Sequence, residues 1–413
     1  MAQELPSLSI DAYDYPLPDE QIARYPAPRG QSRLLLYRAG QPSGHAYGEL
    51  PRLLPPESLL LLNETKVVQA RLLFPRAEGR PIEVFCLEPE DQQSVETAMQ
   101  SRHAITYRCL VGGAKKWKDR QWLEVNTDQW KLRAQRLERG EGYFRIRLEW
   151  EGPETFGELL EMAGKTPLPP YLQRPAEESD RQRYQTVFAS RPGSVAAPTA
   201  GLHFTPELLQ EVKDQGHALT HLTLHVGAGT FKPVSHDDVR AHVMHAEEVW
   251  ISQAFLQRVS AQLQREAPLI PVGTTSLRAL ESSYHLACLW KAGRLPRLSP
   301  AEVPQWAGYD TTLPRPHPAQ ALSELAGAME RQGLQRLRFH TQLIIAPGYQ
   351  HRLITGLITN FHQPRSTLLL LVASLVGPRW RAIYQWALEH DFRFLSYGDG
   401  QLLLPFSGSP APQ

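Results

Sequence analysis

Short apolar runs, each followed by a polar loop, recur along this chain. They lie at 34–37, 59–62, 219–226, 269–272, 338–345, 353–359 and 392–396. Their length and β-branched content predict buried strands. Longer apolar or amphipathic stretches lie at 155–162, 206–216, 277–285, 318–331, 368–376 and 379–389 and predict helices. Strands that alternate with helices are typical of an α/β protein.

The pattern changes between 67 and 150, where apolar and polar residues alternate in short runs. These runs are 67–74, 82–87, 105–111, 122–125, 132–137 and 143–150, with no amphipathic helix between them. Such spacing indicates a small antiparallel barrel. The sequence therefore predicts a large layered α/β domain with a mixed sheet, formed by 1–66 and 151–413, and a β-barrel domain inserted at 67–150.

One polar loop stands between a predicted strand and the most apolar predicted helix. It contains Asn360, His362, Arg365, Ser366 and Thr367. Open α/β sheets bind ligands where strands end, so this loop is a candidate binding site. The alternative is that these residues only close a turn and cap the helix.

A second junction carries three consecutive hydroxyl residues. Gly273, Thr274, Thr275 and Ser276 follow the strand at 269–272 and precede the helix at 277–285. Amides and hydroxyls at a helix N-terminus suit a carboxylate or a phosphate. Helix capping alone would explain one or two of the hydroxyls.

A third junction follows the strand at 219–226, whose polar face includes His225. Gly227 and Gly229 come next, but the third glycine of a dinucleotide fingerprint is missing and Pro233 prevents a helix from starting. These glycines more plausibly let a ligand approach the backbone. The nearby His242, His245 and Glu247 lack metalloprotease spacing and a cysteine neighbour, so we expect no metal.

Charge and composition restrict the partners. The net charge is +1 over 413 residues, so any surface for a polyanion has to be local. The predicted barrel contains such a segment, in which Trp117 lies among basic residues. The basic residues are Lys115, Lys116, Lys118 and Arg120. They fit phosphate contacts beside a stacking aromatic ring, although a solvated loop has the same composition.

Cysteine usage and the N-terminus bear on location. Cys86, Cys109 and Cys288 are far apart and form no Cys-x-x-Cys pair, which indicates a reducing compartment. The N-terminus has no basic head or apolar run, and no segment approaches the ~20 apolar residues of a membrane span. We therefore expect a soluble, cytoplasmic protein with no membrane partner.

Several motifs together resemble one family. They are YDYPLP, NETK-VVQARL, PLPPY, SVAAPTAGLHFT, HLTLHVGAGTFKPV, HVMHAEE, PVGTTSLRALES, PGY, ITNFHQPRSTLLLLV and FRFLSYGD. In these stretches the chain resembles the S-adenosylmethionine:tRNA ribosyltransferase-isomerases of queuosine biosynthesis. The resemblance covers nearly the whole chain and implies the same two-part architecture.

The resemblance also implies a reaction. The ribosyl part of S-adenosylmethionine is transferred to the 7-aminomethyl-7-deazaguanine at the wobble position of tRNA and is isomerised. The products are epoxyqueuosine-tRNA, adenine and methionine. No metal or other cofactor is expected, because S-adenosylmethionine is consumed as the ribosyl donor, and the expected state is a monomer.

This sequence departs from the family pattern at a few positions. Gln363 and Arg365 replace an aliphatic residue and a Lys, and Gln342 stands where an acid is usual. Arg is not equivalent to Lys at a tight contact. The segment 290–335 is longer than usual and has the composition of an insertion. These differences bear on substrate contacts, not on the class of reaction.

The implied chemistry requires a base near the 5′ carbon beside the sulfonium and an acid for the departing adenine. The candidate catalytic residues are His203, His225, His245, Glu247, His362 and Asp399. The candidate substrate-binding residues are Thr199, Gly227, Gly229, Thr230, Lys232, Gly273, Thr274, Thr275, Ser276, Arg278, Asn360, Arg365, Ser366 and Thr367. Any one of the candidate acids and bases can instead be a hydrogen-bonded structural group.

One hypothesis places His225 and His245 in a single proton-transfer site, with Glu247 orienting an imidazole. Two other functional classes remain open at this stage. A tRNA-binding protein without catalysis would bind RNA and release no adenine. A Rossmann-type methyltransferase, suggested only by Gly227 and Gly229, would produce S-adenosylhomocysteine.

Overall fold

The structure, a computed structural model, describes residues 8–90, 93–128, 130–227 and 236–405. The strands are β1 (Arg33–Arg38), β2 (Gln41–Ala46), β3 (Leu59–Asn63), β4 (Thr65–Val67), β5 (Arg71–Phe74), β6 (Ile82–Pro89), β7 (Ala104–Gly112), β8 (Trp122–Asn126), β9 (Lys131–Arg139), β10 (Phe144–Glu151), β11 (Gly164–Lys165), β12 (Arg191–Ser194), β13 (Ala218–Leu224), β14 (Glu247–Ser252), β15 (Leu269–Pro271), β16 (Ala301–Val303), β17 (Arg336–Thr341), β18 (Leu357–Asn360) and β19 (Gly400–Leu404).

The helices complete an α/β protein, as the sequence predicts. They are α1 (Leu50–Leu53), α2 (Val95–Met99), α3 (Phe156–Ala163), α4 (Asp180–Arg183), α5 (Pro206–Asp214), α6 (Gln253–Gln264), α7 (Thr274–Lys291), α8 (Pro318–Arg331), α9 (Thr367–Val376) and α10 (Trp380–Glu389). Among the residues that the structure describes, none of these helices is long and apolar enough to span a membrane.

A six-stranded mixed sheet forms the centre of the fold, in the order β15-β3-β13-β14-β17-β16. β15, β3 and β13 are parallel, whereas β14 is antiparallel to both of its neighbours. β3 is entirely buried because its apolar run is covered on both faces. Helices α6, α7 and α8 pack on one face, and their buried side chains belong to the same core cluster as Leu222 and Val249.

A four-stranded sheet lies beside it, in the order β18-β19-β1-β2. β19 occupies the interior, where all five of its residues are buried. The prediction of a strand at 392–396 is wrong. That segment is irregular apart from a single bridge between Ile22 and Phe394. The strand predicted at 353–359 is shorter than expected and starts at Leu357.

The segment predicted as a barrel forms a curled antiparallel sheet in the order β11-β5-β6-β7-β10-β9-β8, called the half-barrel below. Its edge strand β11 comes from beyond residue 150. Two expectations for this region are wrong. A short helix, α2, interrupts the strands after its Ser94 cap. Trp117 is buried in the half-barrel core, where it cannot stack on a base.

Two helices follow the junctions that the sequence emphasises. α7 begins at Thr274, so Thr274, Thr275 and Ser276 form its first turn and do not precede it. α9 begins after Ser366, whose hydroxyl accepts from the amide of Leu369. Within the predicted insertion at 290–335, α8 packs its buried face against the core.

Candidate functional site

A cavity of about 570 Å³ separates the half-barrel from the six-stranded sheet and is called the cleft below. The sheet side includes four predicted site residues, His225, Gly227, His245 and Glu247. Glu248, Arg338, His340 and Gln342 also line this side, and Glu88, Arg108, Glu141 and Tyr143 line the half-barrel side. The cleft is therefore walled by charged groups of both signs.

His225 is held at the end of β13 by fixed contacts. Its Nδ1 lies 3.0 Å from the hydroxyl of Thr65, and its amide donates to the carbonyl of Glu248. Its Nε2 is buried and has no hydrogen-bond partner among the residues that the structure describes. Burial lowers the pKa of His225 to about 4, so the ring is neutral near pH 7 and able to accept a proton.

Gly193 provides the space for this imidazole. A Cβ atom at Gly193 would lie 3.1 Å from two ring atoms of His225 and 2.1 Å from a methyl group of Val95. The residue also has φ +141°, a conformation that strains other residues. A side chain here would displace either the imidazole or α2, so Gly193 is a positioning residue that sequence reasoning missed.

Glu247 forms a buried ion pair with Arg278. Its other carboxylate oxygen accepts a hydrogen bond from the amide of Gly227, at 3.1 Å. Burial lowers the pKa of Arg278 to about 10. The structure thus brings together two predicted residues from different elements, but it gives Glu247 partners other than the predicted His245. His245 is exposed on the same cleft wall, and its orientation by Glu247 stays a prediction.

Glu248 was not among the predicted site residues. It is buried in the cleft wall, and one carboxylate oxygen accepts from the amide of Val95 and from the indole of Trp250. Burial raises the pKa of Glu248 despite these contacts and the nearby Arg338. The alternation of side chains along a strand is a sequence signal for Glu248. Neighbouring residues of β14 point to opposite faces of the sheet, so Glu248 lies on the same face as Trp250.

A second, smaller cavity of about 70 Å³ adjoins the cleft, since Val226 lines both. It is called the threonine pocket below. It contains the predicted catalytic residue His362 and six of the predicted binding residues, which are Thr199, Gly273, Thr274, Thr275, Asn360 and Ser366. The hydroxyl of Thr275 is buried and has no hydrogen-bond partner in the described part of the chain, so it is available to a ligand.

His362 and Asn360 close the far side of the threonine pocket. The Nε2 atom of His362 lies 3.0 Å from the hydroxyl of Thr359, and burial lowers the pKa of His362 to about 3. The amide nitrogen of Asn360 donates to the carbonyls of Leu395 and Ser396. Both side chains therefore line the pocket while they are bonded to the surrounding fold.

Two predicted catalytic residues lie outside these cavities. His203 stacks on Tyr47 at 4.5 Å, bonds to the hydroxyl of Ser32 and lines a separate cavity of about 20 Å³. Burial lowers its pKa to about 4. Asp399 accepts from the backbone amides of Arg33 and Arg393. Each of the two therefore has a clear structural role, and neither lies among the residues lining the cleft or the threonine pocket.

The remaining predicted residues are spread over other parts of the chain. The Ser276 hydroxyl donates to the carbonyl of Val272 and is fully buried. Arg365 pairs with Asp11 at the surface, and Thr367 lies half-buried in the first turn of α9. The four basic residues at 115–120 are exposed on the half-barrel. Gly229, Thr230 and Lys232 lie outside the described residues.

Comparison with known proteins is consistent across the chain. A family model described as queuosine biosynthesis protein matches residues 10–403. An S-adenosylmethionine:tRNA ribosyltransferase-isomerase of Thermosynechococcus vestitus is 36% identical over 415 residues, covering 96% of each chain. One from Gloeobacter violaceus is 38% identical and covers 97% of each. A crystal structure of S-adenosylmethionine tRNA ribosyltransferase from Thermotoga maritima is 26% identical, covers 95% of this chain and all of that one, and has a TM-score of 0.45.

These matches define the class. The chain belongs to the family of queuosine biosynthesis proteins. Curated S-adenosylmethionine:tRNA ribosyltransferase-isomerases match this chain over nearly their full length. Within that family the chain is therefore a member of this group of enzymes.

Proposed function

We propose that this enzyme moves the ribosyl group of S-adenosylmethionine onto 7-aminomethyl-7-deazaguanine at the wobble position of tRNA and isomerises it. The products are epoxyqueuosine-tRNA, adenine and methionine. The observation that carries the proposal is the placement of His225, His245 and Glu247 on one cleft wall in a chain of this family.

His225 is the proposed base. Protons on the 5′ carbon are acidified by the adjacent sulfonium, and the electron pair left at that carbon allows the ribose ring to open and adenine to depart. A base needs a ring nitrogen that the protein does not already engage, and the buried Nε2 of His225 has no hydrogen-bond partner among the described residues. His245 on the same wall is the second member of the proton-transfer site.

Glu248 is the proposed acid. Departing adenine must gain a proton on a ring nitrogen, and burial raises the pKa of the Glu248 carboxyl, which shifts this group toward the protonated form that a general acid needs. Glu247 is already committed to Arg278, so its charge is fixed. This assignment adds Glu248, which was not among the predicted catalytic candidates.

The donor also needs charge complementarity. The sulfonium and ammonium groups of S-adenosylmethionine are cationic, and Glu88, Glu141 and Glu302 line the cleft. Its carboxylate is anionic and suits the first turn of α7, where Thr274 and Thr275 face the adjoining threonine pocket. The donor is thus proposed to span the two cavities at Val226.

The proposed partner is tRNA, held in part by Lys115, Lys116, Lys118 and Arg120 on the half-barrel. All four side chains are exposed on the half-barrel, which forms one wall of the cleft. A tRNA substrate accords with a cytoplasmic protein. The monomeric state and the lack of a cofactor besides S-adenosylmethionine belong to the same proposal.

The products decide between this function and its alternatives. The protein is incubated with S-adenosylmethionine and tRNA that carries the 7-deazaguanine precursor, and the small molecules are separated. We expect adenine and methionine in equal amounts and ribosyl carbon on the tRNA. Tight tRNA binding with no adenine would indicate a non-catalytic RNA-binding protein, and S-adenosylhomocysteine would indicate a methyltransferase.

A further inference from the structure

A third cavity, of about 340 Å³, opens on the same side of the six-stranded sheet as the cleft. We call it the arginine pocket. Its walls include Arg191, His221, Thr223, Trp250, Arg258 and Arg336. None of these residues takes part in the chemistry described above, and no sequence motif pointed to them.

Arg336 and Trp250 form a fixed floor in this pocket. Two nitrogen atoms of Arg336 donate to the carboxylate of Glu96, at 3.0 and 2.9 Å. The guanidinium lies 4.6 Å from the centre of the Trp250 ring, and the indole nitrogen donates to Glu248. Because these groups are already ordered, a ligand would lose little of its binding energy to arranging them.

Arg258 provides a charge that is still available, and Arg191 provides one that a single carboxylate partly compensates. Arg258 is exposed on α6 and forms no hydrogen bond or ion pair with the residues that the structure describes. Arg191 lies 3.8 Å from the half-buried Glu64, which also lines the pocket. Burial and Arg258 lower the pKa of His221, whereas Glu64 raises it. The opening of the pocket therefore carries two arginines against one carboxylate.

The arginine pocket lies next to the cleft along the sheet, and the two cavities share no lining residue. Thr223 lines the pocket and His225, two residues further along the same chain segment, lines the cleft. Two other strands show the same arrangement of one residue in the pocket and one in the cleft. On β14 these residues are Trp250 and Glu248, and on β17 they are Arg336 and Arg338. Alternate residues share a face and lie about 7 Å apart. A ligand that extends from the cleft along this face reaches the arginine pocket within a short distance.

We propose that the arginine pocket binds a backbone phosphate of the tRNA next to the nucleotide that enters the cleft. This inference rests on the proposed function, because it assumes that RNA is the second substrate. An RNA strand is long enough to extend from the cleft into the arginine pocket, and a phosphate is the group that repeats along RNA. Arg258 and Arg191 contact the phosphate, while Trp250 offers a face to the adjoining base.

The test compares variants of Arg258 and Arg191 in a tRNA-binding titration over a range of salt concentrations. Arg258→Gln removes one charge, Arg191→Gln with Arg258→Gln removes two, and Arg258→Lys retains the charge. Arg331→Gln, which alters an exposed arginine at the end of α8, is the matched control. Melting temperatures confirm that each variant folds, and S-adenosylmethionine binding is measured separately.

We expect the slope of log K against log salt to decrease by about 0.7 to 0.9 for each charge removed. Arg258→Lys and Arg331→Gln should keep the wild-type slope, and S-adenosylmethionine affinity should be unchanged in all four. Unchanged slopes in the Gln variants, with adenine release by the wild type intact, would overturn the phosphate site and leave the proposed function standing. Failure of the wild type to bind tRNA or release adenine would overturn both.

A further measurement separates the source of the phosphate. Inorganic phosphate is titrated into the wild type and into Arg258→Gln in the absence of RNA. We expect millimolar or weaker binding that has no influence on adenine release. Tight phosphate binding that depends on Arg258, with an unchanged salt slope for tRNA, would identify a site for the free ion and contradict the RNA contact.

Discussion

Arg278 on α7 and Glu247 at the start of β14 form a buried ion pair between the two cavities of the site. Glu247 lines the cleft, and the first turn of Arg278's helix lines the threonine pocket. The pair therefore fixes the distance between the element that carries the threonines and the strand that carries the cleft residues. Each of the two buried charges needs the other, because a buried charge without a partner strongly destabilises the folded protein.

Breaking this pair should destabilise the fold. Glu247→Gln leaves the buried guanidinium uncompensated, and we expect a loss of about 3 to 5 kcal/mol in the free energy of unfolding. Arg278→Met should cost a similar amount. The double variant should lose less than the sum of the two, because no charge is then left alone. Urea unfolding measures all three.

The exposed pair of Lys291 and Glu324 is the control for this cycle. Replacing Lys291 by Met should change the free energy of unfolding by less than about 1 kcal/mol, as for most surface pairs. If the Glu247 and Arg278 variants were as mild as this control, the pair would not join the two elements.

The hydroxyls in the threonine pocket should govern donor affinity. Thr275 has a buried hydroxyl without a partner, so Thr275→Val costs the fold little. We expect Thr274→Val with Thr275→Val to raise the apparent KM for S-adenosylmethionine while the melting temperature stays close to wild type. Ser283→Ala, which alters a buried α7 hydroxyl bonded to Ala279, is the control for a structural effect. Unchanged kinetics in the double variant would exclude the pocket as the carboxylate site.

The basic loop on the half-barrel should contribute to tRNA binding and not to donor binding. Changing Lys115, Lys116, Lys118 and Arg120 to Gln should lower the salt slope of tRNA affinity by about 0.7 to 0.9 for each phosphate that the loop neutralises. Lys213→Gln, at the exposed end of α5, is the control. A slope equal to wild type would mean that the loop is simply solvated.

Stability should depend on pH through His225. Its pKa is about 4 in the folded protein against 6.5 for a free imidazole, so the unfolded chain binds a proton that the native one does not. The free energy of unfolding should therefore fall as pH decreases from about 6.5 to about 4, and level off below that. The contribution of one such group is at most about 1.4 kcal/mol per pH unit.

His225→Asn should remove this contribution, and urea unfolding between pH 4 and pH 7 measures it. The variant has to be compared with the wild type because burial also lowers the pKa values of His203 and His362. These two residues change the free energy of unfolding with pH in the same direction as His225. Identical pH dependence in the variant and the wild type would show that His225 is not held neutral by burial.

The sequence was informative wherever a local rule decides the structure. The apolar run at 59–62 could only be a buried strand, and Thr205 with Pro206 marked the start of α5. It failed at 392–396, where aromatic residues pack into the core without joining a sheet. β19 was missed because a short strand after a glycine shows no alternation when both of its faces are buried.

The site could be predicted only in part for a related reason. Local patterns identified Thr275, His225 and Glu247 because each follows a junction or a motif. They could not show that Arg278 pairs with Glu247, since that contact joins elements that are distant along the chain. Glu248 and the arginine pocket were missed because their importance depends on which side of the sheet faces the half-barrel.

The central claim is that His225 accepts the proton from the 5′ carbon in the cleft. A positioned general base contributes about 10²–10⁴ in rate. Exchange with heavy water gives a supporting readout, since a base at that carbon washes deuterium into the product or the recovered donor. His245→Asn tests the second member of the proton-transfer site, and His103→Asn, an exposed position with φ +68° that asparagine tolerates, is the control.

The decisive measurement is single-turnover release of adenine by His225→Asn with saturating S-adenosylmethionine and precursor tRNA. The account predicts a rate lower than wild type by about 10²–10⁴, with tRNA affinity and melting temperature retained. His245→Asn should also slow release, and His103→Asn should not. Near wild-type release by His225→Asn, or a loss explained by failure to fold, would contradict the assignment of the base.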